Sequence, residues 1–95
     1  SGVFPLVEEI EGQGGIAVVH DPMFTEEELS TLGLQSYQFG ERCDVAIVQS
    51  DHEVYERLVA EDLPEATHLF DGRKVVDAVS LHPIQVFRLG DGLRR

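Results

Sequence analysis

Among ninety-five residues, the types best suited to chemistry gather in His68-Leu69-Phe70-Asp71-Gly72-Arg73-Lys74-Val75-Val76. The pattern predicts a short strand that stops at Asp71, turns at Gly72 and delivers Arg73 and Lys74 at its end. Glycine lacks a Cβ and takes positive φ without a clash, so the sharp bend is expected at Gly72. Open α/β sheets place ligands outside the carboxyl ends of their strands. A guanidinium there can fork two parallel hydrogen bonds onto a phosphate or carboxylate. From the tetrapeptide alone, a surface turn with two solvated cations is the better account. The scarcity of positive charge favours a site, because the chain has only seven Lys and Arg against eighteen Asp and Glu.

Other candidates are weaker. His20, His52, His68 and His82 are scattered, without the converging spacing that zinc requires, so no metal site is expected. Cys43, flanked by Glu41, Arg42 and Asp44, lacks the cationic setting of a reactive thiolate and is expected to be structural or incidental. No catalytic residue is assigned. Asp21 follows an apolar run where dinucleotide folds carry a ribose-binding acid, but Asp21-Pro22 reads first as a turn. The glycines of Gly12-Gln13-Gly14-Gly15 precede a strand pattern instead of following one, so they stop a helix and do not form a dinucleotide fingerprint.

The elements that must position the site follow from periodicity. Val3, Phe4, Leu6, Val7 and Ile10 lie on one face of a helix that starts around Val3 to Pro5. Ile16–His20 and Val45–Gln49 are continuous apolar runs, predicting strands buried on both faces of a parallel sheet. Thr25 and Glu28 spell a capping box, with Leu29 and Leu32 inward and Gly33 as the helix stop. The run Glu26-Glu27-Glu28 therefore suits a helix start better than a metal. Residues 35–39 are expected to form a short edge strand. Ser50 and Asp51 cap a helix over 52–60 that turns Val54, Tyr55, Leu58 and Val59 inward. Val75, Val76 and Val79 pack a brief turn. Ile84–Leu89 is a last strand at or near the sheet edge, and 90–95 are a polar tail.

Strands alternating with helical stretches define an α/β class. The expected arrangement is a Rossmann-like, doubly wound, mostly parallel sheet in a single domain, 1–95. Such folds open on a central strand and this chain opens on a helix, so a truncated domain lacking its first central strand is expected. A net charge of −11 argues against nucleic acid, whose phosphates are held by basic faces. No apolar run is long enough to span a bilayer, so no membrane role is expected. The single cysteine fits a reducing compartment, and a cytoplasmic location is expected. A receiver domain of similar length matches poorly, because Asp51 lies two residues past its strand and the opening acidic pair is missing.

Three segments in order carry a resemblance: Val18-Val19-His20-Asp21-Pro22, then residues 44–53, then Phe70-Asp71-Gly72-Arg73. They are similar to the "hDP", "ADAlviatdHdeF" and "vvDgRnil" segments of the C-terminal UDP-binding domain of the UDP-glucose/GDP-mannose (nucleotide-sugar) dehydrogenases. Ser1 matches the serine of that family's "DvReSp" segment, and the likeness covers roughly residues 1 to 90.

The resemblance implies an NAD-dependent parent enzyme that oxidises the C6 alcohol of a nucleotide sugar to a carboxylate through two hydride transfers. NAD belongs to a separate N-terminal domain, and a central domain supplies the catalytic cysteine and a homo-oligomer contact. This chain would bind the UDP-sugar, through Arg73 with Gly72 and Asp71 and less securely Lys74, and by itself would be inactive. Cys43 falls within the "ADA" segment and is not the nucleophile. The family's first strand has no counterpart here, and Lys74 stands where the family has Asn or Arg. A free-standing α/β binding module without catalysis is the alternative.

Overall fold

The computed structural model describes residues 3–89. They form two compact units, divided between Gln38 and Phe39.

In the first unit, helix α1 (Val3–Gly12) takes Pro5 within its first turn, where a missing N–H costs nothing. It ends with the Gly15 N–H donating to the Ile10 carbonyl at 2.9 Å. Helix α2 (Glu26–Thr31) begins with the predicted capping box. Glu28 N–H donates to Thr25 Oγ1 at 3.1 Å, and Thr25 N–H donates to Glu28 Oε1 at 2.8 Å. At its other end Gly33 adopts φ +83°, a conformation that glycine enters freely. That lets Leu34 N–H bond back to the Leu29 carbonyl. Leu29 is buried as expected, but Leu32 is 48% exposed because the helix has already ended there. Leu34, beyond the stop, is buried in its place.

Ile16–His20 is not the doubly buried strand its composition predicts. It contributes one parallel bridge, Val19 to Ser36. Val19 N–H donates to the Gln35 carbonyl and Tyr37 N–H to the Val19 carbonyl. Ala17 and Tyr37 are buried, while Ile16 is 84% exposed. The edge strand expected over 35–39 shrinks to the same bridge.

The second unit is a small α/β fold around a three-stranded, fully parallel sheet ordered β1-β2-β3. Its strands are β1 (Val45–Val48), β2 (His68–Asp71) and β3 (Gln85–Arg88). Parallel neighbours require crossovers. Between β1 and β2 the crossover holds two short 3₁₀ segments, Glu53–Arg57 and Ala60–Asp62, in place of the predicted helix over 52–60. His52, not Ser50 or Asp51, caps the first of these: its Nδ1 accepts from Val54 N–H at 3.1 Å. Tyr55 and Leu58 are buried as expected, but Val59 is exposed where the chain extends between the two segments. Between β2 and β3 lies α3 (Ala78–Leu81), capped by Asp77, whose Oδ1 accepts from Val79 N–H. That cap leaves Val79 85% exposed and brings Leu81 into the core.

Register divides the sheet into two faces. Val48, Leu69 and Asp71 lie on one, all buried, and Tyr55, Leu58, Leu63, Val76, Leu81 and Ile84 are the other buried residues described in this unit. Val45, Ile47, His68, Phe70 and Phe87 lie on the other. There the Phe87 ring stacks on His68 and Phe70, with centroids 5.8 and 5.3 Å away. Val45 and Ile47 are 48% and 40% exposed, so β1 is not buried on both faces as its sequence predicts.

Candidate functional site

The site forms where β1 and β2 end side by side. Gly72 N–H donates to the Val48 carbonyl at 2.9 Å, fastening the turn after β2 to the last residue of β1. A Cβ on Gly72 would lie 3.2 Å from that carbonyl oxygen. Glycine therefore serves close approach here, and its φ is not positive. The left-handed residue of the turn is Lys74, at φ 60°. This corrects the expectation that Gly72 makes the bend by positive φ.

Asp71 holds the turn from within. Its side chain is fully buried and accepts three backbone N–H bonds. Arg73 N–H reaches Oδ1 at 3.1 Å, and Val75 and Val76 N–H reach Oδ2 at 2.8 and 3.0 Å. Three donors converging on one carboxylate replace the water it lost on burial. Both oxygens face the turn, so Asp71 can serve a ligand by presenting Arg73.

That turn projects Arg73 toward the loop after β1. Its Nη2 lies 3.3 Å from Asp51 Oδ2, and both side chains are at least half exposed. The local carboxylates that could have claimed it are occupied otherwise: Asp71 binds backbone, and Asp77 caps α3 and accepts from Ser80 Oγ. On the far side, Arg88 at the end of β3 donates through Nη2 to the Val76 carbonyl at 3.1 Å. Leu89 N–H closes onto the Asp71 carbonyl. The carboxyl end of the sheet thus gathers Arg73, Lys74 and Arg88, all exposed.

Sequence reasoning placed Asp71, Gly72, Arg73 and Lys74 together at a strand end, and they are together. It missed Asp51 as the partner of Arg73, and it missed Arg88. The usable signal was register: loops following adjacent parallel strands emerge side by side.

Lys74 provides a measurable consequence. A residue with a Cβ at positive φ carries a steric cost that asparagine bears more easily. Lys74→Asn is expected to raise stability by about 0.5–1 kcal/mol, seen as a higher urea midpoint at unchanged slope. A lower midpoint would show that lysine contributes more to the turn than its backbone costs.

Among the described residues no group of three or more His, Cys, Asp or Glu side chains converges as a metal site would. An open groove of about 520 Å³ lies along α2, lined by Glu26, Glu27, Ser30, Leu34, Gln35 and Ser36. With two glutamates at its wall it does not suit an anion. No described helix is long and apolar enough to cross a membrane. No family model matches the chain, and no curated protein or solved structure is significantly similar to it.

Proposed function

We propose that this chain is the UDP-binding part of an NAD-dependent nucleotide-sugar dehydrogenase of the UDP-glucose/GDP-mannose family. Its parent is a cytoplasmic homo-oligomer that oxidises the C6 alcohol of a UDP-sugar to a carboxylate, in company with NAD-binding and central domains. The observation that carries this is the position of Arg73, an exposed guanidinium presented at the carboxyl ends of two parallel strands. Open α/β sheets take their ligands at that edge. The three motif segments add the choice of family, and with it the nucleotide.

A doubly wound sheet with a further parallel strand beside β1 belongs to the same proposal. β1 is Val-Ala-Ile-Val, with no charge or proline to guard an edge, whereas β3 carries Gln85 and Arg88. Strands of the first kind are usually internal to parallel sheets. The described residues do not fit NAD. Gly12, Gly14 and Gly15 lie at or after the end of a helix, and no described strand leads through a glycine fingerprint into a helix. The chain's share of the work is to grip the anionic half of the substrate and orient it.

Titrating UDP into the 95-residue chain while following amide shifts tests this. UDP is expected to move Asp51, Gly72, Arg73 and Lys74, and uridine to leave them in place. The chain with NAD and a UDP-sugar should make no NADH. Shifts confined to other residues, or no binding, would leave a free-standing binding module as the better account.

A further inference from the structure

We propose that Asp51 is a specificity residue of the anion site, a counter-ion that makes binding at Arg73 depend on how much negative charge the ligand brings. The inference rests on the nucleotide reading above and concerns the selectivity of the same edge.

Asp51 leaves the loop after β1 and meets Arg73 Nη2 at 3.3 Å, its carboxylate standing beside the guanidinium that an incoming phosphate must approach. One contact leaves most of the five guanidinium donors for a ligand, so Asp51 does not block the site sterically. It acts through charge. With Asp51 ionised, the set Asp51, Arg73 and Lys74 carries a net single positive charge, and without it a double one. A carboxylate about 6 Å from a bound phosphate, in the wet and salt-screened surroundings of an exposed edge, weakens binding by roughly twofold for each ligand charge. The orientation it lends to Arg73 is worth less, since exposed ion pairs hold side chains only loosely. Repulsion therefore outweighs positioning. Asp51 weakens binding in proportion to the ligand's negative charge, most for a diphosphate, less for a monophosphate and not at all for a neutral nucleoside. It so narrows the advantage that Arg73 and Lys74 give to the more highly charged ligand.

The test is a titration of uridine, UMP and UDP into the wild-type chain, Asp51→Asn and Asp51→Asn/Arg73→Ala. Asp51→Asn is expected to leave uridine unchanged, to tighten UMP about threefold and to tighten UDP about tenfold, with the gain falling at high salt. The double variant should bind UDP no more tightly than wild type, because the loss of the Arg73 guanidinium offsets the gain from Asp51→Asn. Equal or weaker UDP binding by Asp51→Asn overturns the inference, as does a gain of the same size for uridine. If UDP binds none of the proteins, the nucleotide reading fails, and the pair is then judged by arginine chemistry alone. Phenylglyoxal should modify Arg73 about threefold faster in Asp51→Asn than in wild type, from the strength of an exposed pair. Equal rates would show that Asp51 does not hold the guanidinium.

Discussion

Replacing Asp71 by alanine is expected to destabilise the protein by about 3–5 kcal/mol. The carboxylate is fully buried and is the acceptor for the N–H groups of Arg73, Val75 and Val76. Each buried donor left without an acceptor costs about 1–3 kcal/mol. Water can reach the exposed Arg73 more readily than the buried Val76, so the three losses are unequal and their sum falls below the maximum. Small domains hold only about 5–15 kcal/mol in total, so this one contact decides whether the chain is comfortably folded. At about 4–8 °C for each kcal/mol, the thermal midpoint should fall by roughly 12 °C or more. Asparagine is the informative control. Its one oxygen can serve Val75 and Val76 while its amide faces the Arg73 N–H, so Asp71→Asn should recover more than half of the loss. A midpoint within a few degrees of wild type for Asp71→Ala would mean that the turn is held by something other than this carboxylate.

The dependence on Asp71 explains why the site was legible in outline and not in mechanism. Residue types gave the stop after His68–Asp71 and the exposure of Arg73, because both are local properties. The conformation of the turn is not local. Gly72 was the natural choice for positive φ, yet the structure uses its missing Cβ against Val48 and gives positive φ to Lys74. The N–H bonds of Arg73, Val75 and Val76 to Asp71 hold Lys74 in that conformation from either side. The partner of Arg73 shows the same limit. Near neighbours in sequence, Asp71 and Asp77, were the obvious carboxylates, but the contact is with Asp51, twenty-two positions away and adjacent through the pairing of β1 with β2.

Elsewhere the division follows the range of the interactions. The Thr25–Glu28 capping box and the stop at Gly33 are decided within a few residues, and both formed as predicted. The apolar face of α1 gave its extent in the same way. Ile16–His20 had strand composition, but a strand also needs a neighbour along its length, and only Val19 has one among the described residues. The segment after His52 had helical spacing, but the chain extends at Leu58, too soon for more than a 3₁₀ turn. Val59 was counted inward from that spacing and Val79 as packing a brief turn with Val75 and Val76, and both face outward.

The largest effect on binding is expected at Arg73. A charge-assisted contact between a guanidinium and phosphate contributes on the order of 1.5–3 kcal/mol, so Arg73→Ala should weaken UDP about ten- to hundredfold. Uridine should bind the two proteins alike, since it has no phosphate to lose. Stability should scarcely change, because the side chain is half exposed and exposed ion pairs are worth about 0–1 kcal/mol. An affinity loss at an unchanged thermal midpoint would thus come from the missing guanidinium and not from unfolding. Arg73→Lys should regain part of the affinity and not all of it, because an ammonium brings charge without the fork. In an intact dehydrogenase the same change should raise KM for the UDP-sugar and leave NAD binding nearly unaltered. The competing account is that Arg73 serves only to tie the turn after β2 to the loop after β1 through Asp51. Removing it would then lower stability slightly and leave UDP affinity equal in wild type and variant, so a single pair of titrations beside a pair of melts separates an arginine that binds from one that ties.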